Sequence, residues 1–348
     1  MEEVDKPQSN KLTINKVAEL CGVSKTTVSR YLNGKFSNMS TDTRERIASV
    51  IEGLDYRPNR TAQRLKAQKA MLIGCVIANV GSPFSAIMLQ GIANVCEQAG
   101  YQVLFADSRE DPERERRAIQ GFIENQVDGL LVNTTGGNED LLCEIQKTVP
   151  VVLVDRPLEK GDFDEVTSPN FEMAQKSSKL LLGMGYEHLG FITENPREVV
   201  PRIQRRDGYI AAMTESGLEP EVIEVSADNT IGNASAVQAF IKRHPGKRLA
   251  LLSVNGVTAL YAMTALNALN ITVGYDFGFC TFDDWEWMQL SKPSISTLQM
   301  GTEEKGAAAA NLLIGRIDNS DSLGEETQHV VVPAHIILRD STCSTAAL

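Results

Sequence analysis

The stretch "LTINKVAELCGVSKTTVSRYLNG", residues 12–34, decides how the rest of this chain is read. After Thr13, a candidate N-cap, Ile14, Val17 and Ala18 recur at helical spacing. The pattern stops at Cys21-Gly22, where glycine supplies a left-handed turn. Ser24 is a second candidate N-cap, and Val28 and Leu32 carry an apolar stripe along a second helix. Lys25, Thr26, Thr27, Ser29 and Arg30 are left on its outer face. Two short helices joined by a glycine-containing turn make a helix-turn-helix, whose second helix enters the major groove with its first turn at the base edges. Arginine pairs with guanine O6 and N7, threonine meets a thymine methyl or a phosphate, and the helix N-terminus favours a phosphate. Ser40 is the expected cap of a third helix, on which Ile47, Val50, Ile51 and Leu54 close a three-helix core.

Charge is distributed to match. The chain has 348 residues and a formal net charge of −11, yet residues 11–69 hold 12 Lys or Arg against five acids, a balance of +7 that leaves −18 elsewhere. A basic head suits a phosphate backbone and an acidic body repels it; charge alone is equally compatible with a solvated helical face. Beyond Tyr56 comes "RPNRTAQRLKAQKA", residues 57–70. Pro58 can open a short helix over 59–66 that has too few apolar residues to stand alone. Its Arg60, Arg64, Lys66 and Lys69 suit phosphates, and Leu65 is a candidate minor-groove wedge, the alternative being an interdomain linker.

The body has a different rhythm. Apolar β-type runs at 71–80, 101–108, 128–134 and 149–156 are separated by helix-length segments such as 85–99 and 111–125. The rhythm resumes at 188–194, 221–227, 248–255 and 277–284, with the helical segment 171–184 read as a crossover. Such βαβ alternation predicts parallel sheets, two of them because one would be unusually wide. Ligands in such folds bind beyond the carboxyl ends of the strands. The residues there are polar or aromatic: Ser82 and Phe84, Asp107, Asn133 and Thr134, Asp155 and Arg156, the loop "NPREVVPRIQRRDGY" (195–209), Asn255, and "FDDWEW" with Asp283 and Trp285. Arginine forks, hydroxyl-pairing amides and carboxylates, and an aromatic wall suit a small polar ligand, although any one of them also reads as a helix cap or a lobe contact.

Other function classes find little support. The four histidines have no triad spacing, Asp283 and Asp284 diverge as neighbours, and no Walker loop or dinucleotide fingerprint occurs. No catalytic residue, cofactor or metal is expected. The six scattered cysteines read as small core hydrophobes. A polar start, "MEEVDKPQSN", and the lack of an 18-residue apolar run predict a cytoplasmic chain with no membrane partner.

The run 13–34, then "STDTRERI" (40–47) and "LDYRPNRTAQRL" (54–65), resembles in order the headpiece and hinge of the LacI/GalR family of bacterial transcription regulators. The resemblance implies a helix-turn-helix domain (1–57), a hinge helix or linker (58–70) and an effector-binding, dimerising core (71–348). The fold implied is a small all-α headpiece plus an α/β core of two periplasmic-binding-protein-like lobes with parallel sheets. The first lobe would take about 71–168 and 294–327, the second about 169–293 and 328–340, with crossings near 168, 293 and 327.

By the same resemblance Lys25, Thr26 and Arg30 read bases, and Thr27, Ser29 and Asn33 follow the backbone. Thr13, Ser24, Asn59 and Arg60 join the DNA-contacting set, and Leu65 takes the intercalating place. One extra residue between Asn33 and Ser40 leaves 34–39 without counterparts. In the core, Arg205 of "RRDGY", Asn255 and Asp283 take effector positions. Gly256 stands where many members have Asp. The implied partners are a near-palindromic double-stranded operator, a sugar or sugar-acid effector and a second copy of the chain. "RDSTCSTAAL" (339–348) lacks a leucine heptad, so a dimer is expected. "FDDWEWMQL" resembles the subgroup regulating uronate and ketodeoxygluconate catabolism, and the arginines near 205 favour an anionic sugar. The alternatives are a catabolite-control type with a phosphoprotein corepressor and a solute-binding protein, which fits the body but not the attached headpiece.

Overall fold

Helical periodicity in the first seventy residues and βαβ alternation in the rest give two separate folding units, Met1–Ala70 and Met71–Leu348, in the computed structural model. The structure describes residues 13–32, 35–37, 39–54, 56, 69–195, 199–227, 229–274, 277–319 and 326–342. Asn33, Asn59, Arg60, Leu65 and the segment 57–68, which carries the expected hinge helix, lie outside the described residues.

In the first unit, helices α1 (Ile14–Cys21), α2 (Lys25–Leu32) and α3 (Thr41–Gly53) enclose Val17, Ala18, Cys21, Val28, Ile47 and Tyr56. Thr13 caps α1 by accepting from the Lys16 amide, Ser24 accepts from the Thr27 amide at 3.1 Å, and Ser40 caps α3. Gly22 ends α1 at φ 62°, a left-handed conformation that a side chain would oppose. The loop without family counterparts is tied in by Phe36, whose ring meets Tyr31 edge-on and lies 4.0 Å under the Arg44 guanidinium.

The second unit holds two six-stranded sheets. Its elements run β1 (Leu72–Ile77), α4 (Pro83–Gln98), β2 (Gln102–Asp107), α5 (Pro112–Glu124), β3 (Gly129–Val132), α6 (Glu139–Ile145), β4 (Val151–Val154) and β5 (Asp164–Thr167). Next come α7 (Asn170–Gly183), β6 (His188–Thr193), α8 (Val200–Glu215), β7 (Glu221–Glu224), α9 (Thr230–Arg243), β8 (Leu249–Ser253), α10 (Gly256–Ala268) and β9 (Phe277–Phe282). The last are α11 (Glu286–Leu290), β10 (Ser296–Gln299), α12 (Thr302–Asp318), β11 (His329–Val331) and β12 (His335–Ile337). The first sheet has the order β11-β5-β4-β3-β1-β2, all parallel; the second, β12-β10-β9-β8-β6-β7, is parallel except for β12. Strands β1, β3, β4, β6, β8 and β9 are buried along their whole length, as helices on both faces require. Four of the cysteines are buried and unpaired; burial pushes the Cys75 and Cys280 thiols up to about 12, so they act as apolar filler.

Three expectations need correction. The chain crosses between lobes at 168–169, at 300–301 and at 332–334, not near 293 and 327: β10 pairs with β9 in the second sheet, and β11 pairs with β5 in the first. These three- and four-residue strands lie at or beside a sheet edge and their short runs do not say which sheet they join, so only pairing reveals their lobe. The helical segment at 171–184 is not a crossover but α7, packed in the core of the second lobe through Met173, Ala174 and Leu181. The expected loop 195–209 becomes α8 from Val200 onward, because Pro201 at its first turn and the buried Arg205, Gly208, Tyr209 and Ala212 follow a helical face. The crossings are bonded side by side: Ser168 Oγ donates to the Met300 carbonyl at 2.9 Å, and the Val332 amide to that of Thr167 at 2.9 Å.

Candidate functional site

Both sheets point the carboxyl ends of their parallel strands at a cavity of about 180 Å3. Residues just after six strands line it, from the first lobe Ala78 and Asn79 after β1, Asn133 after β3, Asp155 and Arg156 after β4. From the second lobe come Glu194 after β6, Asn255 after β8 and Asp283 after β9. Helices α4, α8 and α10 add Phe84, Arg202 with Arg205, and Tyr261.

Arg205 is 5% exposed. Its Nε donates to Asn170 Oδ1 and its Nη1 to the Val254 carbonyl, both at 2.8 Å, and the guanidinium lies 4.3 Å over the Phe282 ring. The fork is thus locked by scaffold, and Nη2, which carries neither bond, is its atom available to a ligand. Asp283, also 5% exposed and at φ 69°, accepts from the Gly256 amide through Oδ2, while its Oδ1 has no hydrogen-bond partner among the described residues. Burial pushes this carboxyl above the usual range despite the pull of Arg205. A buried, unsatisfied carboxyl oxygen on a cavity wall is an uncompensated cost that a hydroxyl or amino donor on a ligand would offset.

The rest of the lining is charged but compensated. Asp155 pairs with Lys305, which reaches it from α12 and is 0% exposed. Burial pushes Asp155 up, but Lys305 and then Arg205 outweigh that and hold it below its ordinary value. Arg202 Nη2 lies 3.1 Å from Glu110 Oε1 and 2.8 Å from Glu194 Oε1. Arg156 donates to the Thr134 carbonyl at 3.1 Å. Asn255 lines the cavity yet spends its amide on structure: Oδ1 caps α10 through the Thr258 amide, and Nδ2 donates to Glu194 at 3.0 Å.

Of the seven expected effector residues, Phe84, Asp155, Arg205, Asn255 and Asp283 line this cavity. Asp107 does not; its carboxylate accepts from the Val80 and Arg109 amides and shapes the turn after β2. Trp285 does not either. It is buried in the apolar core of the second lobe, where a Cβ placed on Gly256 would come within 2.6 Å of its ring. The departure at Gly256 is thereby explained: the indole fills the space an aspartate would need. Arg206 faces away and pairs with Asp207. Glu110, Glu194 and Lys305 were missed. Glu194 carried a signal, since it ends a β-type run; Glu110 and Lys305 carried none, because their partners lie 92 and 150 residues away in the chain.

In the first unit Ser24 just before α2 and Lys25, Thr26 and Arg30 on it are exposed, Thr27 and Ser29 are half-buried, and Val28 alone on the helix is buried. Ser24 Oγ and Thr27 Oγ1 hydrogen-bond at 2.9 Å, which fixes the first turn. The helix presents a row of donors with no competing acid on it.

A helix-turn-helix with an open polar face, together with a two-lobed α/β unit that has a charged interlobe cavity, defines the class: a DNA-binding transcriptional regulator with a ligand-binding-type domain. Residues 13–59 match the family described as "Bacterial regulatory proteins, lacI family", and residues 179–342 match "Periplasmic binding protein-like domain". The HTH-type transcriptional regulator KdgR of Bacillus subtilis (strain 168) is 31% identical over 94% of this chain and 97% of its own. PtxS of Pseudomonas plecoglossicida is 34% identical over 95% and 96%. The Lac repressor bound to ONPG in its repressed state superposes with a TM-score of 0.81 at 22% identity, over 96% of this chain and all of that one. The chain belongs to the lacI family of bacterial regulatory proteins, and its similarity to KdgR agrees with the subgroup to which "FDDWEWMQL" pointed.

Proposed function

We propose that this regulator is a cytoplasmic homodimer, without catalytic activity, that represses carbohydrate-catabolic genes from a near-palindromic operator and answers to a sugar or sugar acid held between its lobes. The carrying observation is the pairing, on one cavity wall, of a scaffold-locked Arg205 fork with the unpartnered Oδ1 of Asp283. A polyhydroxylated ring offers both an acceptor for the first and a donor for the second. Phe84 supplies the apolar face, and the Asp155–Lys305 pair supplies fixed charge behind it. Among the described residues no helix is long and apolar enough to cross a membrane.

On DNA, Lys25, Thr26 and Arg30 read base edges, while Thr13, Ser24, Thr27, Ser29 and Asn33 fix the frame on phosphates. Asn59, Arg60 and Leu65, assigned by sequence pattern, act at the operator centre between two headpieces. A ligand that bridges the lobes changes the angle at the three chain crossings, and its preference for one angle sets the size of the DNA response.

The test starts from DNA selected out of a random pool by the full-length protein. Its affinity is then measured by fluorescence anisotropy in a panel of neutral sugars and sugar acids, alongside thermal shift. A palindromic consensus and at least one carbohydrate that changes its affinity about tenfold are expected, a typical allosteric coupling. If no carbohydrate shifts either the melting temperature or the DNA affinity, the effector assignment falls.

A further inference from the structure

Arg202, from the second lobe, is held by two carboxylates at once, Glu194 of its own lobe at 2.8 Å and Glu110 of the first lobe at 3.1 Å. The same Glu110 oxygen lies 3.6 Å from Nη2 of Arg156. One carboxylate oxygen therefore sits between two guanidinium groups from different lobes, in the position and charge state that a bound carboxylate ligand would have. We propose that Glu110 is an internal anion that occupies this double-arginine site in the ligand-free protein and must leave it before a carboxylate-bearing ligand is held there. This rests on the cleft being the effector site, as proposed above.

Three observations support displacement. Glu110 and its neighbour Arg109 have φ of 57° and 53°, left-handed conformations that are uncommon for non-glycine residues and carry some backbone strain. The Glu110 side chain is 26% exposed, at the rim, so it can turn to water without crossing the core. The cavity is also already balanced: Arg156, Arg202 and Arg205 face Glu110, Asp155, Glu194 and Asp283, and Lys305 neutralises Asp155. A further anion beside Glu110 would meet like charge in a partly desolvated site. Glu194 is also held by the Asn255 amide, at 3.0 Å.

There is also space for the exchange. Glu110, Glu194 and Arg202 border a second cavity of about 420 Å3, lined further by Asn195, Glu224, Ser226 and Asn233. Glu110, Glu194 and Arg202 are thus shared by the linings of the two cavities.

The test uses isothermal titration of the full-length protein with D-gluconate, D-glucuronate and D-glucose. Glu110→Gln keeps size and hydrogen bonding but removes the competing charge, and is expected to bind at least one of the two acids about tenfold more tightly than the wild type while D-glucose changes less than twofold. In E110Q/R202Q the gain disappears. Acid affinity that is unchanged, weakened or undetectable in E110Q overturns the proposal, as does an equal gain for D-glucose, which would mean only a looser cleft. The effector assignment itself would fail differently, with no member of a wider carbohydrate panel altering operator affinity in either protein.

Discussion

The reading helix and the ligand cleft are both polar, but their polar groups are in opposite states. On α2, Lys25, Thr26 and Arg30 project into water with no acidic partner on the helix, ready for an external anion. In the cleft, Arg205, Asp155, Lys305 and Asp283 are nearly or wholly out of water, and apart from Arg205 Nη2 and Asp283 Oδ1 their polar atoms named above are engaged by other protein groups. Removing a side chain from the first should therefore cost binding and leave folding intact. Removing one from the second should cost folding too, because a buried partner is left uncompensated.

The sharpest way to break the contrast is Lys305→Met. Methionine fills a similar volume but strands the Asp155 carboxylate, and a loss of about 3–5 kcal/mol of stability is expected from urea denaturation. A variant as stable as the parent would show that Asp155 is solvated or protonated. Next is Arg205→Ala, which removes the fork that two hydrogen bonds orient; ligand binding should fall by about 1.5–3 kcal/mol per charged hydrogen bond lost, read by titration calorimetry, while operator affinity without ligand stays within about twofold. A mutant that responds normally to the ligand would remove Arg205 from the site.

On the other side, Arg30→Ala should weaken operator binding by about 1–3 kcal/mol with an unchanged thermal melt, and the loss should be largest for the preferred sequence over a scrambled one. Equal loss on both DNAs would make it a phosphate contact. Gly256→Asp should destabilise by about 1–3 kcal/mol through overpacking against the Trp285 ring, and adding Trp285→Leu should restore part of it.

The smallest effect is a pH dependence at the opposite end of the second sheet. There burial, and then His244, lower the His188 pKa below 6.5, while the Glu221 pKa is below 4.5 because burial, which would raise it, is outweighed by His244 and Arg243. The unfolded chain binds more protons than the folded one as pH falls past each ordinary value. Stability from His188 is thus full above about 6.5 and declines below it, and that from Glu221 is lost at lower pH still. The melting temperature should fall between pH 7.5 and 5.5, and His188→Gln should flatten that slope.

Much of this was legible in the sequence because it depends on near neighbours. Caps at Thr13, Ser24 and Ser40, the turn at Gly22 and the exposed face of α2 are all set within four residues, the range of a helical turn. The βαβ alternation and the strand-end rule likewise located Asp155, Asn255 and Asp283 on the cleft. Helical phase, invisible in what read as a loop, separated Arg202 and Arg205 from Arg206.

What sequence alone could determine, then, was the headpiece, the fold class and the strand ends that line a cleft, since each follows from local periodicity and hydrogen bonding. Tertiary structure alone decided which lobe owns the short strands β10 and β11, that Trp285 is core and the reason for Gly256, and that Glu110, Glu194 and Lys305 balance the arginines and Asp155. The physical reason is range: Coulomb pairing and packing act between groups that folding brings together from positions 150 residues apart in the Asp155–Lys305 pair, and no local pattern records them.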